Sequence, residues 1–326
     1  MKRVGVLGTG KYLPKKVLTN ADLEKMVDTS DEWIVTRTGI KERRIAAKDE
    51  ATSNLAAKAA KEALKAAGIK ALDIDLIIVA TITPDMQFPS TATFVQAELG
   101  AKNAACFDIS AACAGFIYAI AIAQQFISRG AYKNVLVIGS ETLSRITDWE
   151  DRNTCVLFGD GAGAVVLGET NSSGGILSAY LGSDGTKTGL LHIPGGGSRN
   201  PASEQTLKDK LHYLKMEGNE IFKIAVTSMA EAARVALKNA GLKCADVNWI
   251  IPHQANIRII NAVAKKLGFV NAQVYLNIEK YGNMSSASTA VALCEAVEEG
   301  KIKKGDIVLL DAFGAGLVWG AVIIKW

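Results

Sequence analysis

Three residues able to do chemistry together lie far apart in the 326-residue chain. Cys113 stands in "DISAACAGFIYAI", between small residues at the mouth of an apolar run. His253 stands in "PHQAN", after the strand-like run "VNWII", and Asn283 stands in "YGNMSSAS". A thiolate attacks a thioester carbonyl, an imidazole exchanges a proton, and an amide donates hydrogen bonds to a developing oxyanion. Each residue also has a plainer reading: a small buried hydrophobe, a satisfied structural histidine, a Gly-Asn turn. Cys113 differs from the other cysteines in context, although taken alone a buried structural cysteine remains the default reading. Its small neighbours leave room for a substrate. The run that follows begins a helix, whose free N–H groups and dipole stabilise a thiolate. Cys106, Cys155, Cys244 and Cys294 lack that context and read as core or incidental. His192 and His212 fall in an irregular stretch without evident partners.

These residues must be positioned by an α/β scaffold. "RVGVLG", "DLIIVATI", "NVLVIGSE" and "GAVVLGE" are β-branched apolar runs, and "ATSNLAAKAAKEALKAAG" has helical periodicity with a stop at Gly68. Near-continuous apolar strands alternating with helices predict a sheet covered on both faces. Segment 62–80 aligns without gaps on 235–253, with nine of nineteen positions identical. The same offset of 173 residues places "RVGVLGTG" over "ILSAYLGS" and "NVLVIG" over "IVLLDA". This points to an internal duplication, with halves 1–173 and 174–326 and a seam at "NSSGG" (171–175). Carried to Cys113, the offset lands on Ser286, so the loops bearing Cys113, His253 and Asn283 are expected to converge. The second half holds an extra Gly-rich polar stretch, 182–220, expected to cover a site.

Several classes are disfavoured. The five cysteines are widely spaced, with no CxxC, which argues against a disulfide framework or a structural zinc site. The longest apolar stretch, 111–123, is too short for a membrane span. The N-terminus reads as a strand rather than a signal peptide, so a cytoplasmic protein is expected. A net charge of +4 suits an acidic partner but does not indicate nucleic acid. In "GVLGTGKYLP" the third glycine of a dinucleotide fingerprint is replaced by Leu13, and Pro14 opposes a helix. "FGDGAGAVVLG" and "FGAGLVWGAVIIKW" lead into strands, not helices, and read as matching turns of the two halves.

"DISAACAGF", "PHQAN", "YGN-SSAS" and "FGAG-WG", in this order, resemble β-ketoacyl-acyl-carrier-protein synthase III, and the resemblance extends over essentially the whole chain. It implies a duplicated thiolase-like fold with two pseudo-equivalent halves layered α-β-α-β-α. It implies a decarboxylative condensation of an acyl-CoA primer with malonyl-acyl-carrier protein, catalysed by Cys113, His253 and Asn283. Phe313, Gly314 and Ala315 would form the oxyanion and gate segment. Thr29, Trp33, Arg37, Arg152, Gly218, Asn219 and Asn256 match coenzyme A positions, with adenine sandwiched between an aromatic ring and a guanidinium. Phe88, Leu143 and Phe158 match the acyl pocket, Phe88 reaching across a homodimer interface. Lys223, Arg258, Lys265 and Lys266 are expected to dock the acidic carrier protein, although such charges also serve as a solvated face. No metal or redox cofactor is implied.

Met284 and Ala315 depart from the family pattern beside the expected site and bear on pocket width and oxyanion geometry. Elongating synthases and thiolases use Cys-His-His and Cys-His-Cys, which Asn283 disfavours. Polyketide-type and quinolone-type synthases, a cysteine hydrolase and a noncatalytic acyl-binding protein remain as alternatives, and the primer is left open.

Overall fold

Two mixed β-sheets carry the same strand order. In the computed structural model, which describes residues 2–170 and 173–326, the first sheet contains β1 (Val4–Tyr12), β2 (Leu76–Ala80), β3 (Ala105–Ile109), β4 (Asn134–Thr142) and β5 (Asp160–Glu169). Their spatial order is β1-β5-β4-β2-β3. The second contains β6 (Gly175–Ser183), β7 (Trp249–Pro252), β8 (Ile307–Gly314) and β9 (Val318–Lys325), in the order β6-β9-β8-β7. Pairing senses also correspond. β2–β4 and β7–β8 are parallel, whereas β4–β5, β5–β1, β8–β9 and β9–β6 are antiparallel. Where the first sheet adds β3, the second keeps only an isolated parallel bridge, Ile250 to Val274. Of the seam expected at 171–175, Asn171 and Ser172 lie outside the described residues.

The longer helices are α1 (Asp31–Thr38), α2 (Thr52–Ala67), α3 (Thr91–Leu99), α4 (Gly115–Ser128), α5 (Gly218–Asn239), α6 (Ile257–Leu267) and α7 (Ser286–Glu298). They make the remaining layers. α2 and α3 cover the outer face of the first sheet, and α5 and α6 that of the second. Between the sheets lie α4 and α7, sharing one core with both. This explains why α4 is nearly apolar throughout and why every α7 residue from Ser286 to Ala296 is buried: a helix flanked by two sheets has no solvent face.

Small residues set the layer spacing. A Cβ on Gly10 would lie 2.3 Å from the Ala59 carbonyl oxygen, and one on Gly8 2.4 Å from the Ala67 nitrogen. The glycines at the start of the chain therefore seat α2 on β1, and they sit in a strand rather than a dinucleotide loop. The stretch 111–123 opens as a 3-10 turn, Ala112–Ala114, before α4 begins at Gly115. Among the described residues, no helix is long and apolar enough to cross a membrane.

Candidate active site

Cys113 sits in the 3-10 turn between β3 and α4, 8% exposed. The preceding residue, Ala112, has φ +42°, a region L-residues rarely adopt. Ser285, 173 positions later, has φ +47° and directly precedes α7. The duplicated turns thus share a strained residue immediately before Cys113 in one half and Ser286 in the other. β8 presses on the first turn: a Cβ on Gly314 would lie 2.6 Å from the Cys113 nitrogen. Gly314 is required there because backbone meets backbone.

The expectation of a stabilised thiolate at this helix start is not met in the free protein. Burial pushes the Cys113 thiol up to about 12. Ser285 opposes that rise. Desolvation outweighs what a short turn of N–H groups supplies, so the resting group is a thiol.

His253 follows β7, its N–H donating to the Asp311 carbonyl at 2.7 Å. The ring is 2% exposed and neither nitrogen has a hydrogen-bond partner. Burial pulls its pKa down to about 3, so the imidazole is neutral at physiological pH. Asn283 is fixed on both sides. Its N–H donates to the Leu157 carbonyl at 2.9 Å, and its own carbonyl accepts from Gly159 N–H at 3.0 Å. Its Oδ1 accepts the Ser285 N–H at 2.8 Å, which leaves the amide nitrogen free to donate.

Cys113, His253 and Asn283 line one cavity of about 530 Å³, together with Phe313, Gly314 and Ala315. Phe313 is buried and stacked on Trp319, with ring centroids 6.5 Å apart. Leu143 and Phe158 form an apolar wall with Leu214. The extra stretch supplies Thr188, Leu191, His192, Ile193, Leu214 and Met216, so it does cover the site. His192, set aside in the sequence for want of partners, is thereby a wall residue. Phe88 is 84% exposed and lies outside the cavity of the single chain.

Gly218, at the start of α5, and Asn256, the side-chain cap of α6, line the cavity, but Thr29, Trp33, Arg37, Arg152 and Asn219 do not. The first four of these outlying residues lie in or near α1 and the segment after β4, and α1 packs beside α6. Arg37 and Arg152 both rest on the Trp33 ring, at 4.6 and 4.5 Å from its centroid. The Thr29 hydroxyl is buried without a partner. Lys223, Arg258, Lys265 and Lys266 are exposed, and Lys223 and Arg258 adjoin the cavity residues Phe222 and Ile259 in sequence. Lys223 pairs with Glu220 at 3.0 Å, and Lys266 donates to Thr227 at 3.4 Å.

One expectation is corrected. Met284 does not reach the cavity; it packs with Leu13, Tyr281, Ala287 and Val291 in a separate cluster. The backbone at 283–285 reverses between neighbours, so Asn283 and Ser285 face the cavity and Met284 faces away. Ala315 does line the cavity. Ser285 was missed in the sequence, although the offset from Ala112 marks its place. Glu141 was also missed, although an acid ending the apolar strand "NVLVIGSE" is visible. Among the described residues, no cluster of three or more His, Cys, Asp or Glu side chains could hold a metal ion.

Comparison with known proteins gives this arrangement a context. Residues 107–185 match the family model described as 3-oxoacyl-[acyl-carrier-protein] synthase III, and residues 237–326 match the C-terminal model of the same family. The β-ketoacyl-[acyl-carrier-protein] synthase III of Caldanaerobacter subterraneus is 62% identical over 99% of this chain and 97% of its own. The crystal structure of 3-oxoacyl-[acyl-carrier-protein] synthase III from Aquifex aeolicus superposes with a TM-score of 0.93 at 54% identity, covering 99% of this chain and 100% of that one. The priming β-ketosynthase of the R1128 polyketide pathway superposes at 0.92 with 39% identity, covering 99% and 97%. Matches in both halves and near-complete coverage at this identity extend beyond the fold to the enzyme class. The chain belongs to the 3-oxoacyl-[acyl-carrier-protein] synthase III family, condensing enzymes of duplicated thiolase-like fold that initiate fatty-acid synthesis.

Proposed function

We propose that this chain joins an acyl-CoA primer to malonyl-acyl-carrier protein through an acyl-Cys113 intermediate. The observation that carries the reading is one cavity onto which a thiol, a neutral imidazole and an amide with its oxygen already engaged all open. In the first half-reaction the Cys113 sulfur attacks the primer carbonyl. The carbon–sulfur bond to coenzyme A breaks, and the thiol proton ends on the departing sulfur, His253 being the neutral base able to carry it. N–H groups of the Cys113 turn and the adjoining Gly314 segment are the donors for the oxyanion. In the second, the malonyl carbon–carboxyl bond breaks and CO2 leaves. The resulting enolate oxygen is stabilised by donation from His253 and Asn283. The enolate carbon attacks acyl-Cys113, giving the β-ketoacyl product and expelling the Cys113 thiolate, which takes up a proton from solvent to restore the thiol.

Trp33, Arg37, Arg152, Thr29, Asn219, Gly218 and Asn256 make the coenzyme A approach, and Leu143 and Phe158 bound the acyl chain. A homodimer in which the exposed Phe88 closes the partner's pocket completes the site. Lys223, Arg258, Lys265 and Lys266 offer an acidic carrier protein a positive rim. The reading places the reaction in the cytoplasm, where free thiols persist, with the sequence halves meeting near 173/174. The higher identity to the synthases III of Caldanaerobacter subterraneus and Aquifex aeolicus than to the polyketide priming enzyme supports primary fatty-acid synthesis.

The test is incubation with acetyl-CoA, then isobutyryl-CoA, without malonyl donor, followed by intact-mass and peptide analysis. An adduct on Cys113 that is absent in Cys113→Ala is the expected result, and the faster primer names the specificity. Folded protein that takes no acyl group from either primer would overturn the reading.

A further inference from the structure

The C-terminal end of β4 holds an acid that the reaction above does not use. Glu141 is fully buried, and its hydrogen-bond partners are all neutral. Oε2 accepts from the Thr83 hydroxyl at 2.6 Å, the Thr81 hydroxyl at 3.1 Å and the Ile82 N–H at 3.1 Å. Both threonine oxygens themselves accept a backbone N–H, from Thr142 and Thr83 respectively, so their own protons are free for the carboxyl. Oε1 lies 3.0 Å from Ser286 Oγ. That hydroxyl is also 2.7 Å from the Ala80 carbonyl oxygen, which can only accept. A hydroxyl has a single proton. With that proton in the short bond to Ala80, the contact between Ser286 Oγ and Oε1 needs a proton from the acid.

We propose that Glu141 is a positioning residue held as the neutral acid, its Oε1–H donating to Ser286, and that this chain of bonds fixes the turn carrying Asn283. The turn needs fixing. Ser285 is held at φ +47° between Asn283 and Ser286, with its N–H on Asn283 Oδ1. β4 comes against it closely: a Cβ on Gly139 would lie 2.5 Å from the Ser286 carbonyl oxygen. The Ser285 hydroxyl sits near both the Cys113 thiol and the Glu141 carboxyl without a well-formed hydrogen bond to either. Burial raises the Glu141 pKa, in keeping with the proton count. Cys113, ahead of α4, is a titratable neighbour. The groups packed on Glu141 after β2 (Thr81, Ile82, Thr83), along β4 (Thr142) and ahead of α7 (Ser285, Ser286) carry no charge. A neutral acid therefore spares the thiol a negative neighbour.

The experiment compares Glu141→Gln with Glu141→Ala in the full-length protein. Glutamine offers one acceptor and a donor in the shape of the acid, so it replaces a neutral carboxyl and not a carboxylate. E141Q is expected to rescue what E141A loses. Malonyl decarboxylation falls roughly 100-fold in E141A, acylation of Cys113 falls less than about tenfold, and both stay within about threefold of the parent in E141Q. The parent's infrared spectrum is expected to show a protonated-carboxyl carbonyl band that E141Q lacks. The pH profile of Cys113 alkylation by iodoacetamide is expected to coincide in parent and E141Q. An E141Q as impaired as E141A, or one whose alkylation profile moves to lower pH, would show an ionised Glu141 and overturn the proposal. Equal loss of both half-reactions in E141A would reduce the residue to a fold element and overturn the positioning role. The inference rests on the role proposed for Asn283, and Asn283→Ala run in parallel separates the two. If that variant decarboxylates normally the reaction reading fails, while alkylation and infrared still decide the state of Glu141.

Discussion

The turns at 112–115 and 285–288 occupy equivalent places in the two halves, yet one presents a side chain and the other ties its own down. Each opens on a residue of positive φ and starts a helix of the central layer. The first offers the Cys113 sulfur to the cavity. The second turns the Ser286 hydroxyl into the first sheet, onto Ala80 and Glu141, and its backbone clamps Asn283. Duplication supplied two similar helix starts, and only the one whose side chain is left unbonded is available as a nucleophile. In the proposed reaction the other is the frame that aims the Asn283 amide as a hydrogen-bond donor.

The comparison is broken most directly by moving the thiol. Cys113→Ala is expected to take no acyl group and to lose condensation by about 10³-fold or more. Adding Ser286→Cys to it is expected to restore nothing, because position 286 faces Ala80 and Glu141. Intact-mass analysis after acyl-CoA treatment checks both, and an adduct on the thiol introduced at position 286 would show the turns to be interchangeable. The next largest effect is at the strands that press on each turn. Gly314→Ala puts a methyl against the Cys113 nitrogen, and Gly139→Ala puts one against the Ser286 carbonyl. Each is expected to cost about 1–3 kcal/mol of stability. The catalytic consequences should differ. G314A slows Cys113 acylation by about 10²-fold, on the order of one lost oxyanion donor, whereas G139A acts mainly on decarboxylation. Melting temperatures and the two half-reaction rates, measured separately, decide it.

Protonation sharpens the contrast further. With the Cys113 thiol pushed up to about 12, its alkylation by iodoacetamide is expected to climb with pH without a plateau between pH ~7 and ~10. His253, held near 3 by burial, has a folded pKa below the ~6.5 of an unfolded histidine. Between those values the unfolded chain binds the extra proton. Stability therefore falls as pH drops from ~6.5 toward 3, with a slope of about one proton from this residue. Denaturant unfolding across that range is expected to show a shallower slope in His253→Asn.

Much of this arrangement was legible in the sequence because it rests on periodicity and repetition. The 173-residue offset marked the paired halves and placed Ser286 opposite Cys113. Strand ends marked His253, and the Gly-rich run at 313 marked the segment that meets the Cys113 turn. Direction was not legible. Met284 and Ser285 are adjacent, and only the backbone reversal shows which of them faces the cavity. Nor was the protonation state: a helix start predicts a thiolate, but the desolvation that overrides it arises from layers hundreds of residues apart in sequence. Glu141 illustrates both points. An acid at the end of an apolar strand is visible, but that it meets Ser286 across the layers is not.

The smallest expected effect tests whether the shared backbone strain is itself useful. Ala112→Gly and Ser285→Gly each relieve a positive φ that L-residues adopt at a cost of order ~1–3 kcal/mol, but glycine loses about 0.5–1 kcal/mol more chain entropy on folding. The relief equals or exceeds the entropic cost, so melting temperatures are expected to stay level or rise. Activity should separate the pair. Ser285 reaches Asn283 through its backbone N–H, which glycine retains, so decarboxylation survives S285G. The Ala112 turn is closed by the Ala114 and Gly115 N–H groups on the Ala111 and Ala112 carbonyls, but Ala112 has no N–H bond to a side chain of the site; there the side chain's restriction of φ adds to what limits the excursions of Cys113. A112G is therefore expected to slow acylation more than S285G slows decarboxylation. Equal effects would mean that both turns are held by packing alone, with the hydrogen bond to Asn283 contributing nothing to the difference between them.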